Sequence, residues 1–155
     1  MQINIGDHKS EIAGYLPVPV QHRAALYWAR ARARVIAQTL PAANKYFMHL
    51  PFRRSLTELL DMKSIWVNYS VSLRAIDYGE TTLFFEIALA PGPFRIGRWQ
   101  VLGTLIHELA HSDGAAWGPN DTEAEESLIA CGLGRKSEKW LGDDPYTPYA
   151  PWVRG

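Results

Sequence analysis

The chain has 155 residues, 47% hydrophobic and 21% charged, with Lys plus Arg and Asp plus Glu balanced at 16 each. That length suits one domain able to bury about 70% of its unfolded surface, and the composition excludes a disordered chain. Zero net charge excludes an overall field that would draw the chain to nucleic acid or to an acidic membrane, and a single cysteine, Cys131, excludes an internal disulfide and a Cys-ligated zinc ribbon.

Residues 1–19 read as an N-terminal arm. The stretch from Met1 to Lys9 lacks the basic and apolar regions of a signal peptide, and no apolar run approaches the roughly 18 residues of a membrane span. The expectation is a cytoplasmic chain with no membrane partner, and export by a machine that ignores N-terminal signals stays open. A helix is predicted from about Val20 to Thr39, with Arg23, Arg30 and Arg34 near one face. These read as a solvated face whose long side chains cover apolar surface, in preference to a phosphate-binding stripe. Pro41 marks a break, after which short helices are expected over Ala42 to Leu50 and Ser55 to Met62. Two strands follow, Ile65 to Val71 and Thr81 to Leu89, joined through a turn at Asp77, Tyr78 and Gly79. The expectation is a small antiparallel sheet, with Phe84 and Phe85 in the core.

From Trp99 to Ser112 the residues Val101, Leu102, Leu105, Ile106, Leu109 and Ala110 are apolar, which leaves a narrow polar stripe through Thr104, His107, Glu108 and His111. That pattern predicts a buried helix. His107-Glu108-Leu109-Ala110-His111 is the HExxH pattern, expected by chance in roughly one chain in a hundred of this composition. With about 3.6 residues per turn, residues four apart share a helix face about 6 Å apart along the axis. Both imidazoles then reach one tetrahedral Zn²⁺ at Zn–N distances of about 2.0–2.1 Å. Glu108, about 100° around the helix from His107, can face a metal-bound water without entering the coordination shell, which is where a general base belongs.

A catalytic zinc ordinarily takes three protein ligands, so a third is sought downstream. Ser112, Asp113 and Gly114 end the helix, Trp117-Gly118-Pro119 turns the chain, and a second helix is predicted from about Asp121 to Leu133. Its first turns carry Glu123, Glu125 and Glu126, although acids there are favoured by the helix dipole in any case. The apolar stripe through Ala124, Leu128 and Cys131 puts Glu126 opposite and Glu123 and Glu125 at its flanks, so angular position leaves those two unseparated.

The run Asp121-Thr122-Glu123-Ala124-Glu125 resembles the Glu-Ala-Asp or Glu-Ala-Asn signature that follows HExxH in gluzincin-type metallopeptidases, which include the ImmA/IrrE-like peptidases. The resemblance implies Glu123 as third zinc ligand and Glu125 as the acid that orients a ligating histidine. It covers about residues 99 to 133, has Glu where the families have Asp or Asn, and has a short gap from His111 to Glu123. The run from Gly103 to His111 with the acid-rich helix after it is also similar to small metallopeptidase domains of bacterial toxins and effectors, a context in which an inhibitory or immunity partner is expected.

These features predict an α+β, zincin-like single domain over residues 1–155, with N-terminal helices, a sheet over the HExxH helix and a second ligand-bearing helix. The expected activity is zinc-dependent hydrolysis of a peptide bond in a peptide or protein, with Glu108 as base. Two other readings stay open: a zinc amidase acting on a cell-wall peptide, and a regulatory module that keeps the fold with little proteolysis. By analogy with zincin folds, the strand around Leu83 to Leu89 is expected to pair with an extended substrate.

At the C-terminus, Pro145, Pro148 and Pro151 recur every third residue, as do Tyr146, Tyr149 and Trp152. A polyproline II segment would align those aromatics in one ridge, so residues 143–155 read as a strap on the domain. If the strap crosses the cleft, Tyr146 or Tyr149 is a candidate oxyanion donor.

Overall fold

The computed structural model describes residues 1–73, 78–117 and 122–133. The predicted strap, with Tyr146 and Tyr149, lies outside these residues, as does the centre of the turn expected around Gly118 and Pro119.

The elements run β1 (Gln2–Ile3), α1 (Val20–Thr39), α2 (Pro41–Phe47), α3 (Leu56–Asp61), β2 (Trp66–Tyr69), β3 (Gly79–Thr82), β4 (Glu86–Leu89), α4 (Pro91–Ile96), α5 (Arg98–Ser112) and α6 (Thr122–Ala130). This is a mixed α+β chain. Pro41 begins α2 rather than merely ending α1, as its fixed φ and missing N–H suit a first helical position. Ser55 caps α3 in a reciprocal capping box with Glu58. No helix among the described residues is long and apolar enough to cross a membrane.

The sheet differs from the expected antiparallel pair. Its order is β1-β2-β4-β3, with β1 parallel to β2, β2 parallel to β4, and only β3 antiparallel to β4. The stretch expected to be one strand from Thr81 to Leu89 is a hairpin, with Thr82 paired to Glu86 across a loop of Leu83, Phe84 and Phe85. Leu83 at φ 53° and Phe84 at φ 63° both adopt left-handed backbone. That conformation costs a non-glycine residue about 1–2 kcal/mol, and no Gly, Asn or Asp stands there to announce a turn. Phe84 and Phe85 are therefore at a hairpin tip and outside the core, Phe85 being exposed.

The N-terminal arm is a working part of the fold. Ile3 joins the sheet beside Val67, the Leu16 amide and carbonyl pair with those of Tyr69, and Val18 is fully buried. A chain of side-chain hydrogen bonds from Asn4 through Asn68 and Glu86 to His8, which stacks on Trp66, ties the arm to β2 and β4. The arginines of α1 are engaged locally: Arg23 donates to the carbonyls of Val18 and Ile5, Arg34 pairs with Asp61, and Arg30 lies over the Tyr27 ring.

At the centre lies α5, packed against α1, α4 and α6 and against β3 and β4. Twelve of its 15 residues are buried, so its surroundings on all sides decide where its polar side chains can go. Cys131, just beyond α6, is buried in the same core, and burial pushes its thiol up to about 12.

Candidate functional site

The polar stripe of α5 opens into a cleft of about 410 Å³ lined by His107, Glu108 and His111 from the helix, by Gly79 to Leu83 from the hairpin, and by Trp117. This is within the range of ligand sites, about 300–1,000 Å³.

The partners of the two imidazoles set their tautomers. His111 Nδ1 lies 3.1 Å from the carbonyl oxygen of Ala115, which can only accept, so Nδ1 carries the hydrogen. His107 Nδ1 lies 3.2 Å from Glu125 Oε1, and the same reasoning puts a hydrogen on it. In neutral rings both Nε2 atoms then present lone pairs, and they face each other at 3.2 Å. Two lone pairs at that distance call for a cation between them, a proton or a metal. Two nitrogens bound at about 2.05 Å to one tetrahedral ion stand about 3.3 Å apart, so the spacing suits a shared zinc.

Glu108 is buried and fixed by the hairpin. The Thr81 hydroxyl donates to Glu108 Oε2 at 2.8 Å and also meets the Glu108 carbonyl at 3.0 Å. The opposite oxygen, Oε1, lies against Gly79: a Cβ there would stand 2.7 Å from Oε1 and 2.8 Å from Thr104 Cγ2. Only glycine lets β3 approach so closely.

The acids of α6 take separate places. Glu125 turns toward α5 and meets His107, whereas the exposed Glu123 accepts from the Ala116 amide at 2.9 Å, its own carbonyl accepting from the Tyr46 hydroxyl at 2.7 Å. Glu126 is exposed. Among the described residues, no three His, Cys, Asp or Glu side chains are gathered as a metal-holding group; the donors that converge are the two imidazoles.

The loop after α5 is anchored from below. Asp113, wholly buried, accepts from Arg54 Nε at 2.8 Å, while Arg54 also donates to the Ser112 carbonyl. Burial raises the Asp113 carboxyl above its ordinary range, with Arg54 pulling it back. The Phe52 amide donates to the Asp113 carbonyl at 3.1 Å, and Pro51 packs against Gly114, where a Cβ would stand 3.0 Å from Pro51 Cβ.

Thr81, Gly79 and Trp117 were not singled out by the sequence as site residues, and neither was Tyr15. The Tyr15 hydroxyl hydrogen-bonds Thr82 on the cleft wall at 2.9 Å, and burial pushes it up to about 12, so it holds its proton at neutral pH. Gly79 had one signal, its place at an expected turn; the others had none. The strand expected to receive substrate, Leu83 to Leu89, is ruled out because β4 lies between β2 and β3 and its backbone groups are taken on both sides. Among the described residues, the edge strand beside the cleft is β3.

No family model, curated protein or solved structure matches this chain. The arrangement of His107, Glu108 and His111 is therefore what bears on function.

Proposed function

We propose that the chain is a zinc-dependent metallopeptidase that hydrolyses a peptide bond of a peptide or protein, with His107 and His111 as ligands, Glu123 as third ligand and Glu108 as general base. The observation that carries this reading is the meeting of the two Nε2 atoms at 3.2 Å while each Nδ1 is engaged by an oxygen acceptor. Helix α5 fixes the spacing, Ala115 and Glu125 fix the ring orientations, and such outer partners ordinarily raise ligand basicity. Glu123 belongs to the same α6 turn as Glu125; serving as third ligand requires its carboxylate to leave the Ala116 amide from which it accepts here.

Zinc, when bound, acidifies water and polarises the scissile carbonyl. Glu108 takes the proton from the attacking water and returns it to the leaving amine. Thr81 and Gly79 hold its carboxylate on the cleft side, so little reorganisation precedes the transfer. Edge strand β3 offers backbone groups to an extended peptide, which favours a main-chain substrate.

The test is metal content after dialysis, for wild type beside His111→Ala, Glu123→Ala and Glu125→Ala, followed by a peptide-cleavage assay. The expected result is one zinc per wild-type chain, lost with His111 and Glu123 and kept with Glu125, and cleavage that disappears in Glu108→Gln. A wild type that holds no metal overturns the proposal.

A further inference from the structure

Three chain segments bring large apolar side chains together at one end of the cleft and leave them in water. Phe52 is 46% exposed, Leu83 66% and Trp117 55%, with Phe84 half-buried between them. The Phe84 ring meets Phe52 edge-on at 4.9 Å and stacks on Trp117 at 5.3 Å, and Trp117 in turn stacks on His111 at 5.8 Å. The result is a continuous apolar wall that ends on a histidine of the site.

Holding these groups in place is costly. Leu83 and Phe84 both carry left-handed backbone, which bulky residues rarely keep unless their surroundings impose it. The Phe52 segment is tied down by the pair between half-buried Arg54 and buried Asp113, and the Arg54 guanidinium also lies 5.1 Å over the Phe52 ring. Local strain and a partly buried charge pair that together keep apolar side chains out in solvent are features expected of a binding surface.

We infer that this wall is a specificity subsite that receives one large apolar side chain, aromatic or branched aliphatic, of an extended peptide lying along β3. This rests on the hydrolase reading above and names its substrate class. Leu83 and Trp117 line the same cleft as His107, Glu108 and His111, so a side chain against the wall belongs to a residue close to the scissile bond. The wall side chains Phe52, Leu83, Phe84 and Trp117 are all apolar, with the Arg54 guanidinium over the Phe52 ring already engaged by Asp113, so a glycine gains nothing there.

Leu83→Gly separates this role from folding, because glycine accepts the left-handed backbone and Leu83 is mostly exposed. Its Tm is expected to stay level or to rise by about 2–4 °C. The probes are fluorescein-labelled decapeptides, alike except for Phe, Leu or Gly at the centre, titrated by anisotropy against full-length Glu108→Gln protein, both zinc-loaded and chelator-treated. The Phe and Leu peptides are expected to bind about tenfold or more tighter than the Gly peptide, in both states. Adding Leu83→Gly or Trp117→Ala reduces that preference to within about threefold. Equal binding of the three peptides, or a preference undiminished in both variants, overturns the inference. So does a wild type that sediments as a dimer and becomes a monomer in Leu83→Gly without any peptide preference, since the wall is then a contact between copies. The metal content of the wild type is read separately: a peptide preference with no zinc bound removes the hydrolase reading and leaves the apolar subsite standing.

Discussion

Helix α5 and the β3–β4 hairpin build the same cleft by different physical means. The helix supplies reactive groups through its period, which carries His107, Glu108 and His111 to one face of an otherwise apolar rod. The hairpin supplies constraint through close approach: Gly79 leaves room for the Glu108 carboxylate, Thr81 hydrogen-bonds it, and the strained tip at Leu83 and Phe84 walls one end. The side chains proposed to do chemistry are placed by residue type at fixed spacing, and their alignment is set by a strand distant in sequence.

The comparison yields a graded set of expectations. Glu108→Gln removes the proposed base outright, and kcat for peptide cleavage is expected to fall on the order of 10³-fold with zinc content unchanged. Retained turnover would put the base elsewhere. Gly79→Ala leaves α5 intact and forces a methyl into the space of Glu108 Oε1, where a displacement of about 1 Å costs roughly 10²-fold in kcat. A crystal structure of the variant should show the carboxylate turned away. Thr81→Val deletes the hydrogen bond at similar volume. Loss of a bond to a charged group is worth about 1.5–3 kcal/mol, so a fall of about tenfold or more in kcat, with KM little changed, is expected. Thr81→Ser, which keeps the hydroxyl, recovers most of it. If Thr81→Ser is as poor as Thr81→Val, the strand acts through packing and the comparison fails. Ser55→Ala touches neither region: losing the α3 cap costs about 1 kcal/mol in urea unfolding and leaves kcat unaltered.

What could be read from the chain follows from this division. Helices announce themselves through period and caps, and α1, α3, α5 and α6 lie within a few residues of their predicted bounds. The polar stripe of α5 was visible because four polar side chains stand out on so apolar a helix. The hairpin was not visible: the turn signals that sequence reading relies on are Gly, Asn and Asp, and here Leu83 and Phe84 take the left-handed backbone under tertiary constraint. The parallel pairing of β2 with β4 was hidden for the same reason, because it needs β3 to fold back outside β4. Phe84 and Phe85 read as core because aromatics usually are. Glu123 and Glu125 were inseparable by angle, being both at the edge of one apolar stripe. Their different partners, the Ala116 amide and the His107 ring, belong to segments whose position only the fold decides.

The grip of Thr81 on Glu108 has a thermal consequence. Strand β3 is four residues long and, among the described residues, its backbone pairs with β4 alone, whereas α5 packs against three helices and two strands. Short segments with few neighbours open at lower free energy than a packed core. On slow heating, amide protection at Thr81 and peptide cleavage are therefore expected to disappear together, while α5 is still folded and its amides are still slow to exchange. The temperature at which the protein is disarmed would then lie below the temperature at which it unfolds, and recovery on cooling would need only four residues to find their place again.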